Sequence, residues 1–256
     1  MPGSPAWEVV ERSVAEQTNY LSPVLTDSPG VCQVCFGAVH VASTRCGKCA
    51  EAHHRSGGVL ADVVVPITYR IGYTRQAAHD LRAYKATPSS AEARLRLTCL
   101  FWHFCVRHLA CVKRRLGIDH FTHVAFVPST KSPMVTHPLQ AMLKPMVPLD
   151  LVELVLNNSI DPYSRNLNLD WFKTDPIRSI SARPSAVLLI DDTWVTGARV
   201  QSAAYCLKEA GAARVATIVL ARQINPDYGH AAPLVNKATG IRYDPEICVL
   251  HAPAAS

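Results

Sequence analysis

Two adjacent carboxylates, Asp191 and Asp192, follow a four-residue apolar run at 187–190 and precede a short loop carrying Thr196 and Gly197. Such a run suits a strand buried on both faces, which places the acidic pair at its carboxyl end. Beyond the loop, Val200, Ala203 or Ala204, Leu207 and Ala210 recur at helical spacing, and Gly211 stands where a C-terminal cap belongs. Strand, loop and helix in that order aim the N–H groups of the loop and first helical turn at the sheet edge, where they can receive an anion. Gly197 lets a phosphate approach the backbone closely, and Asp side chains accept hydrogen bonds from a vicinal diol. A sugar phosphate answers both halves of the stretch. The plainer alternative is a strand end whose Asp pair binds a metal ion, or nothing.

A second constellation is Cys32-x-x-Cys35, a ten-residue gap, then Cys46-x-x-Cys49. Two knuckles so spaced place four thiolates around one tetrahedral Zn²⁺, and four thiolates leave no open position for catalysis, so the zinc is structural. Gly37 and Gly47 suit the tight turns of such knuckles. Nine cysteines without a secretory signal argue against a disulfide framework, while a redox role for one Cys-x-x-Cys stays open. His53 and His54 lie just beyond as spare ligands.

The elements that must position these residues can be read in outline. Residues 6–21 pattern as an amphipathic helix before Pro23. Residues 60–69 are β-branched and apolar, a strand that Pro66 pushes towards an edge. Residues 76–85 read as a short helix with Ala77, Leu81 and Tyr84 on one side and basic residues along it; for Arg82 and Lys85 a solvated face is the simplest account. Ala91–Leu116 is a long helix with an apolar stripe of Leu95, Cys99, Trp102, Val106, Leu109, Val112 and Leu116, widened by Phe101, Phe104 and Cys105 and so largely buried against the sheet. Cys99, Cys105 and Cys111 read as small core residues, and His103 and His108 as surface or satisfied core histidines. Residues 122–127 form a strand with Pro128, Ser129, Thr130 and Lys131 behind it, a loop chemically suited to a diphosphate. Another strand at 215–220 after the Ala-rich helix makes a right-handed parallel crossover. A last strand is expected at 247–250, and Cys248 and His251 look too isolated for a metal pair.

The order of hydrophobic strand, two acidic residues, a few variable residues and Thr-Gly closely resembles the loop of type I phosphoribosyltransferases that binds 5-phosphoribosyl 1-diphosphate (PRPP). The resemblance implies that Asp191 and Asp192 hold the ribose 2′- and 3′-hydroxyls. It implies further PRPP contacts from Thr193, Val195, Thr196, Gly197, Ala198 and Arg199, with the loop from 195 to 199 cradling the 5′-phosphate. Many members carry hydroxyl residues where this chain has Val195 and Ala198 or Arg199, so more of the phosphate binding falls to backbone amides, Thr196 and the Arg199 cation. A cysteine-paired zinc module, then a Tyr-containing strand, then a helix ending in Leu81-x-x-x-Lys85, is similar to the layout of the ComF family, whose members are phosphoribosyltransferase-like.

That resemblance implies an α/β fold, a type I phosphoribosyltransferase-like parallel sheet flanked by helices with a small N-terminal zinc ribbon. The implied divisions are a helix and linker at 1–30, the ribbon at 31–56 and the transferase-like domain at 57–256. Ser129, Thr130 and Lys131 take the place of the pyrophosphate loop, and Arg165 resembles the Arg-x-x-Asn element on a loop that closes over substrate. Lys131 and Arg165 are the implied catalytic cations. Residues 132–139 depart from the Arg-rich, Gly-Phe-Asn-Gln-like segment of those relatives. Mg²⁺ is expected with the PRPP diphosphate, since polyphosphates are rarely bound bare.

Three functions stay open: transfer of phosphoribosyl from PRPP to an unidentified small-molecule acceptor, PRPP sensing without turnover, and handling of nucleic acid, as the association of ComF relatives with DNA uptake implies. Composition sets outer bounds. With 256 residues, 48% hydrophobic and 18% charged, the chain is globular rather than disordered. A net charge of +6 fits a polyanionic small ligand or weak nucleic-acid contact and decides neither. No apolar run nears membrane-spanning length, and the first residues lack the order of a signal peptide, so the expected location is cytoplasmic. A homodimer is left open.

Overall fold

The computed structural model describes residues 3–26, 28–73, 75–129, 136–161, 163–177 and 184–251. In chain order its elements are α1 (Pro5–Gln17), α2 (Gly47–Arg55), β1 (Val63–Ile71), α3 (Gln76–Ala83), α4 (Ala91–Leu116), β2 (His123–Phe126), α5 (Pro138–Leu143), a 3₁₀ turn at Lys144–Met146, β3 (Asp150–Leu151), β4 (Val155–Leu156), β5 (Phe172–Lys173), β6 (Ala186–Trp194), α6 (Ala198–Glu209), β7 (Arg214–Ile224) and α7 (Ala231–Thr239). Local chemistry sets several of these ends. Pro5 opens α1, and the Ser4 hydroxyl accepts the Trp7 N–H there. Ser90 does the same for Ala93 at the start of α4, which stops at Gly117 in the left-handed conformation, φ +66°.

Five strands form one parallel sheet in the order β1-β7-β6-β2-β3, and β4 and β5 pair antiparallel apart from it. This is an α/β architecture with a parallel sheet flanked by helices. β1 lies at an edge, where Pro66, which has no N–H to give, is tolerated. Side chains alternate across the sheet with period two. Val65, Phe126, Leu188, Ile190 and Ile218 join the core formed with α3, α4 and α5; Val64, Val127, Leu189 and Val219 join a second core with α6, Trp171 and Phe172. Cys32, Cys35 and Cys49 belong to that second core, so the cysteine module packs on the α6 face.

The strand order fixes where a ligand can sit. The chain leaves β2 outwards to β3, and leaves β6 through α6 in the opposite direction to β7. Adjacent strands whose connections diverge open a crevice at their carboxyl ends, the usual ligand position in open α/β sheets. Phe126 of β2 pairs with Ile190 of β6, so the loops carrying Ser129 and Asp191 start side by side.

Two expectations need correction. Residues 247–250 form no strand: Asp244 accepts the Glu246 N–H through its side chain and the Ile247 N–H through its carbonyl, which curls the segment into a turn. The buried face of α4 keeps Cys99, Phe101, Phe104, Val112 and Leu116 but takes in Leu97, Leu100 and His108 as well, while Leu95 and Val106 are exposed. Residues 95 and 106 satisfy helical spacing, but α4 is covered by α1 and α3 as well as by the sheet, and the widest apolar arc wins. No helix among the described residues is long and apolar enough to cross a membrane.

Candidate functional site

At the carboxyl end of β6 the alternation of side chains sends the two carboxylates to opposite faces. Asp192 points to the α3 side, where its Oδ2 accepts the Tyr84 hydroxyl at 2.6 Å and the Lys85 ammonium at 2.5 Å. Burial alone would raise its pKa. The charges of Lys85 and His137, with the hydrogen bonds from Lys85 and Tyr84, outweigh burial and hold Asp192 below the ordinary carboxylate value. Among the described residues Asp191 has no such ion pair. Burial first, and then the Asp192 charge, push its pKa up, although its Oδ1 accepts the Asp192 N–H at 2.8 Å. Two neighbouring carboxylates thus differ in readiness to ionise, and a ligand that offers hydroxyls or a cation meets one acceptor already charged and one held back by its surroundings.

Past the pair the chain turns sharply. Trp194 is buried and folds against Gly197, whose φ is +82° and where any Cβ would collide with the indole. Here glycine is required twice over, by the left-handed backbone and by the close approach. Gly197 is the N-cap of α6 and offers no capping side chain, and the Thr196 hydroxyl just before it accepts the Ala198 N–H at 3.4 Å. Val195 is exposed. Thr196 Oγ1 donates to the Arg165 carbonyl at 3.0 Å, which ties the 163–169 segment to the loop. The Arg199 guanidinium lies over the Trp171 ring, 5.6 Å from its centroid. Burial lowers the Arg199 pKa, while Asp191 and Asp192 work to raise it and Arg165 to lower it, which places two arginines and two carboxylates in one electrostatic neighbourhood. Within that neighbourhood the Trp194 Nε1–H and the Thr193 hydroxyl are buried without a hydrogen-bond partner among the described residues. Native proteins rarely leave such groups unmet.

The structure therefore brings together Asp191, Asp192, Thr193, Val195, Thr196, Gly197, Ala198, Arg199 and Arg165. Ser129 stands half-buried at the end of the adjoining strand, whereas Thr130 and Lys131 lie outside the described residues. Three site residues escaped the sequence analysis. Tyr84 and Lys85 were assigned to the apolar and solvated sides of α3, and only their place at the end of that helix, beside β6, makes them partners of Asp192. Arg222 is the third. It pairs in register with Trp194 across β6 and β7, and donates to the carbonyls of Trp194 at 3.2 Å, Val195 at 2.9 Å and Cys35 at 3.1 Å. A lone arginine at the end of an apolar strand was the available signal.

Arg222 links the loop to the cysteine module. The thiol sulfurs of Cys32, Cys35, Cys46 and Cys49 all lie within 4.8 Å of one another. That donor set is geometrically suited to a structural zinc ion. Backbone and side-chain donors already face the sulfurs: the Cys46 N–H reaches Cys32 Sγ at 3.3 Å, and Arg222 Nη2 reaches Cys35 Sγ at 3.6 Å. The four sulfurs share hydrogen bonds among themselves, which push the Cys32 thiol down and the Cys35 and Cys49 thiols up. Gly37 lies against the Arg222 guanidinium, leaving no room there for a side chain. From the other side, Lys48 of α2 donates to Asn166 at 3.0 Å, so the module touches both the loop and the Arg165 segment.

No family model matches the chain, and none of the curated proteins matches it.

Proposed function

We propose that the crevice between β2 and β6 binds PRPP, and that the chain is a phosphoribosyltransferase-like protein similar to the ComF family with an N-terminal zinc ribbon. The observation that carries the reading is the acidic pair at the strand switch point, followed within one turn by the N-terminus of α6, whose N-cap Gly197 has no side chain. Asp191 and Asp192 take the ribose 2′- and 3′-hydroxyls. Thr196, Gly197, Ala198 and the cation of Arg199 take the 5′-phosphate, with Thr193 and Val195 shaping the loop. The reading assigns the diphosphate to Ser129, Thr130, Lys131 and Arg165. Mg²⁺ belongs to the reading as the diphosphate counter-ion, neutralising charge there and bound chiefly by phosphate and ribose oxygens. In transfer, the C1–O bond breaks as pyrophosphate departs with the bonding pair, and a lone pair of the acceptor forms the new bond at C1. The residues act by position and charge, since none is placed as a nucleophile.

A second reading, PRPP sensing without turnover, is favoured by one feature: Asp192 is already satisfied by Tyr84 and Lys85, so ligand entry exchanges an internal ion pair for a ribose contact. Contact with nucleic acid through the ribbon and basic faces is a third, with no stacking platform to support it. Pyrophosphate release from PRPP, measured across a panel of nucleobases and small amines, separates the first two. The transferase reading predicts release with at least one acceptor, falling on the order of a hundredfold in Lys131→Ala because each charged contact to the departing group is worth about that much. Tight PRPP binding with no acceptor-dependent release, and no change in Lys131→Ala, would leave the sensor.

A further inference from the structure

The C-terminal turn meets α4 at four potential metal ligands. His108 and Cys111 lie three residues apart on one face of α4, and Cys248 and His251 lie three apart in the turn that follows α7. One ligand atom from each of the four falls within 4.8 Å of every other. Cys111 Sγ and His251 Nε2 are 3.6 Å apart, and the His108 and His251 rings meet edge to face with centroids 5.2 Å apart. We propose that His108, Cys111, Cys248 and His251 form a second zinc site, a structural Cys₂His₂ centre that fastens the C-terminal turn to α4.

An independent feature points to a ligand. His108 is buried, its Nε2 makes a 2.7 Å hydrogen bond to the Pro245 carbonyl, and its Nδ1 has no hydrogen-bond partner among the described residues. A carbonyl that accepts from one ring nitrogen fixes the tautomer, leaving the other with a free lone pair; metal-bound histidines are commonly held in this way. An orphaned ring nitrogen beside two thiols and a second imidazole is otherwise a cost with nothing to offset it. The distances suit a site slightly open before loading, since the edges of a Cys₂His₂ tetrahedron run about 3.3–3.8 Å for Zn–N near 2.0–2.1 Å and Zn–S near 2.3 Å. Binding has a defined proton balance. The two thiols release their protons, and His251, whose Nδ1 now accepts the Cys248 N–H at 3.1 Å, moves its proton to Nδ1 and gives up that contact. Two thiolates and two neutral imidazoles offset the 2+ charge in full. Exposed His251 and half-buried Cys111 give the ion a route from solvent.

The sequence hid the site because 136 residues separate its two halves, from Cys111 to Cys248. The test is the zinc content of the full-length chain, purified under reductant and re-equilibrated with limiting free Zn²⁺, for wild type, Cys32→Ser, His251→Ala and Cys111→Ser. Two equivalents are expected in wild type and one in each variant. His251 is exposed, so its variant keeps the fold, and in it the affinity of the second equivalent should fall tenfold or more. Co²⁺ loaded into Cys32→Ser should give a spectrum of mixed sulfur and nitrogen ligation. The proposal is overturned by a single equivalent in wild type that vanishes in Cys32→Ser. It is equally overturned by a second equivalent indifferent to both His251→Ala and Cys111→Ser, or by a disulfide joining Cys111 to Cys248. Because the ribbon is scored by its own variant, loss of either site leaves a distinct pattern.

Discussion

Changing Cys32 to Ser should cost the chain its ribbon zinc and unfold residues 31–50, and the damage should reach the crevice. Structural zinc contributes on the order of 10–16 kcal/mol of apparent binding energy in finger peptides, as much as the whole stability of an ordinary domain. The module buries only a few apolar groups of its own, notably Val31, Val39 and its cysteines, so nothing else of that size holds it. Arg222 carries the effect onward. It donates to the carbonyls of Cys35, Trp194 and Val195, so release of the knuckle removes one anchor from the residue that pins the loop ahead of α6. Hydrogen exchange should show lost protection at 31–50 and faster opening at 193–198, while β2 and β7 stay protected. Retained protection at 31–50 in a Cys32→Ser chain stripped of metal would contradict this.

Asp191→Asn and Asp192→Asn should move stability in opposite directions, though both weaken PRPP binding. Burial and its neighbour's charge push the Asp191 pKa up to about 8, so at neutral pH the fold must hold a proton there that the unfolded chain releases. Asn needs no such proton and keeps an Oδ1 acceptor for the Asp192 N–H, so the ligand-free protein should gain on the order of 1–3 kcal/mol at neutral pH. The sign of the pH dependence follows. With a raised folded pKa, the penalty in wild type is absent below the ordinary carboxylate value near about 4, grows as pH rises, and levels off above the folded pKa. Asp192 is the reverse case. Its depressed pKa gives stability above about pH 4 that is lost as pH falls through the lower folded value. Asp192→Asn should therefore destabilise near neutrality by on the order of 1–2 kcal/mol, a figure kept small because Lys85 is partly solvated. Denaturant melts of both variants from pH 3.5 to 8 check the signs. Equal destabilisation by both would mean that the carboxylates share one environment.

Much of this was legible from residue order because it depends on local periodicity. The apolar run 187–190, the Ala-rich α6, the crossover to β7 and the cysteine knuckles each announce themselves within about a dozen residues, and the structure has the same elements in the same places. What escaped depended on contacts between distant segments. Lys85 looks like a solvated helix residue until α3 is laid beside β6, 107 positions later. Arg222 means little until β7 pairs with β6. Cys248 and His251 looked isolated because His108 and Cys111 sit on a helix whose buried face had been drawn through Leu95 and Val106. The two-residue β3 and β4 carry too few side chains to show a period at all, which is why residues 140–160 give no readable element in the sequence.

The central claim is that the acidic pair and the loop before α6 bind PRPP, and titration calorimetry of the full chain with PRPP and Mg²⁺ tests it most directly. Saturable binding at one site per chain is predicted, displaced by ribose 5-phosphate, less readily by pyrophosphate, and weakened about tenfold or more in Asp191→Asn and Asp192→Asn, the loss expected when a charge-assisted hydrogen bond of about 1.5–3 kcal/mol is removed. Absence of binding by the folded wild-type chain at millimolar PRPP with Mg²⁺ would contradict the account.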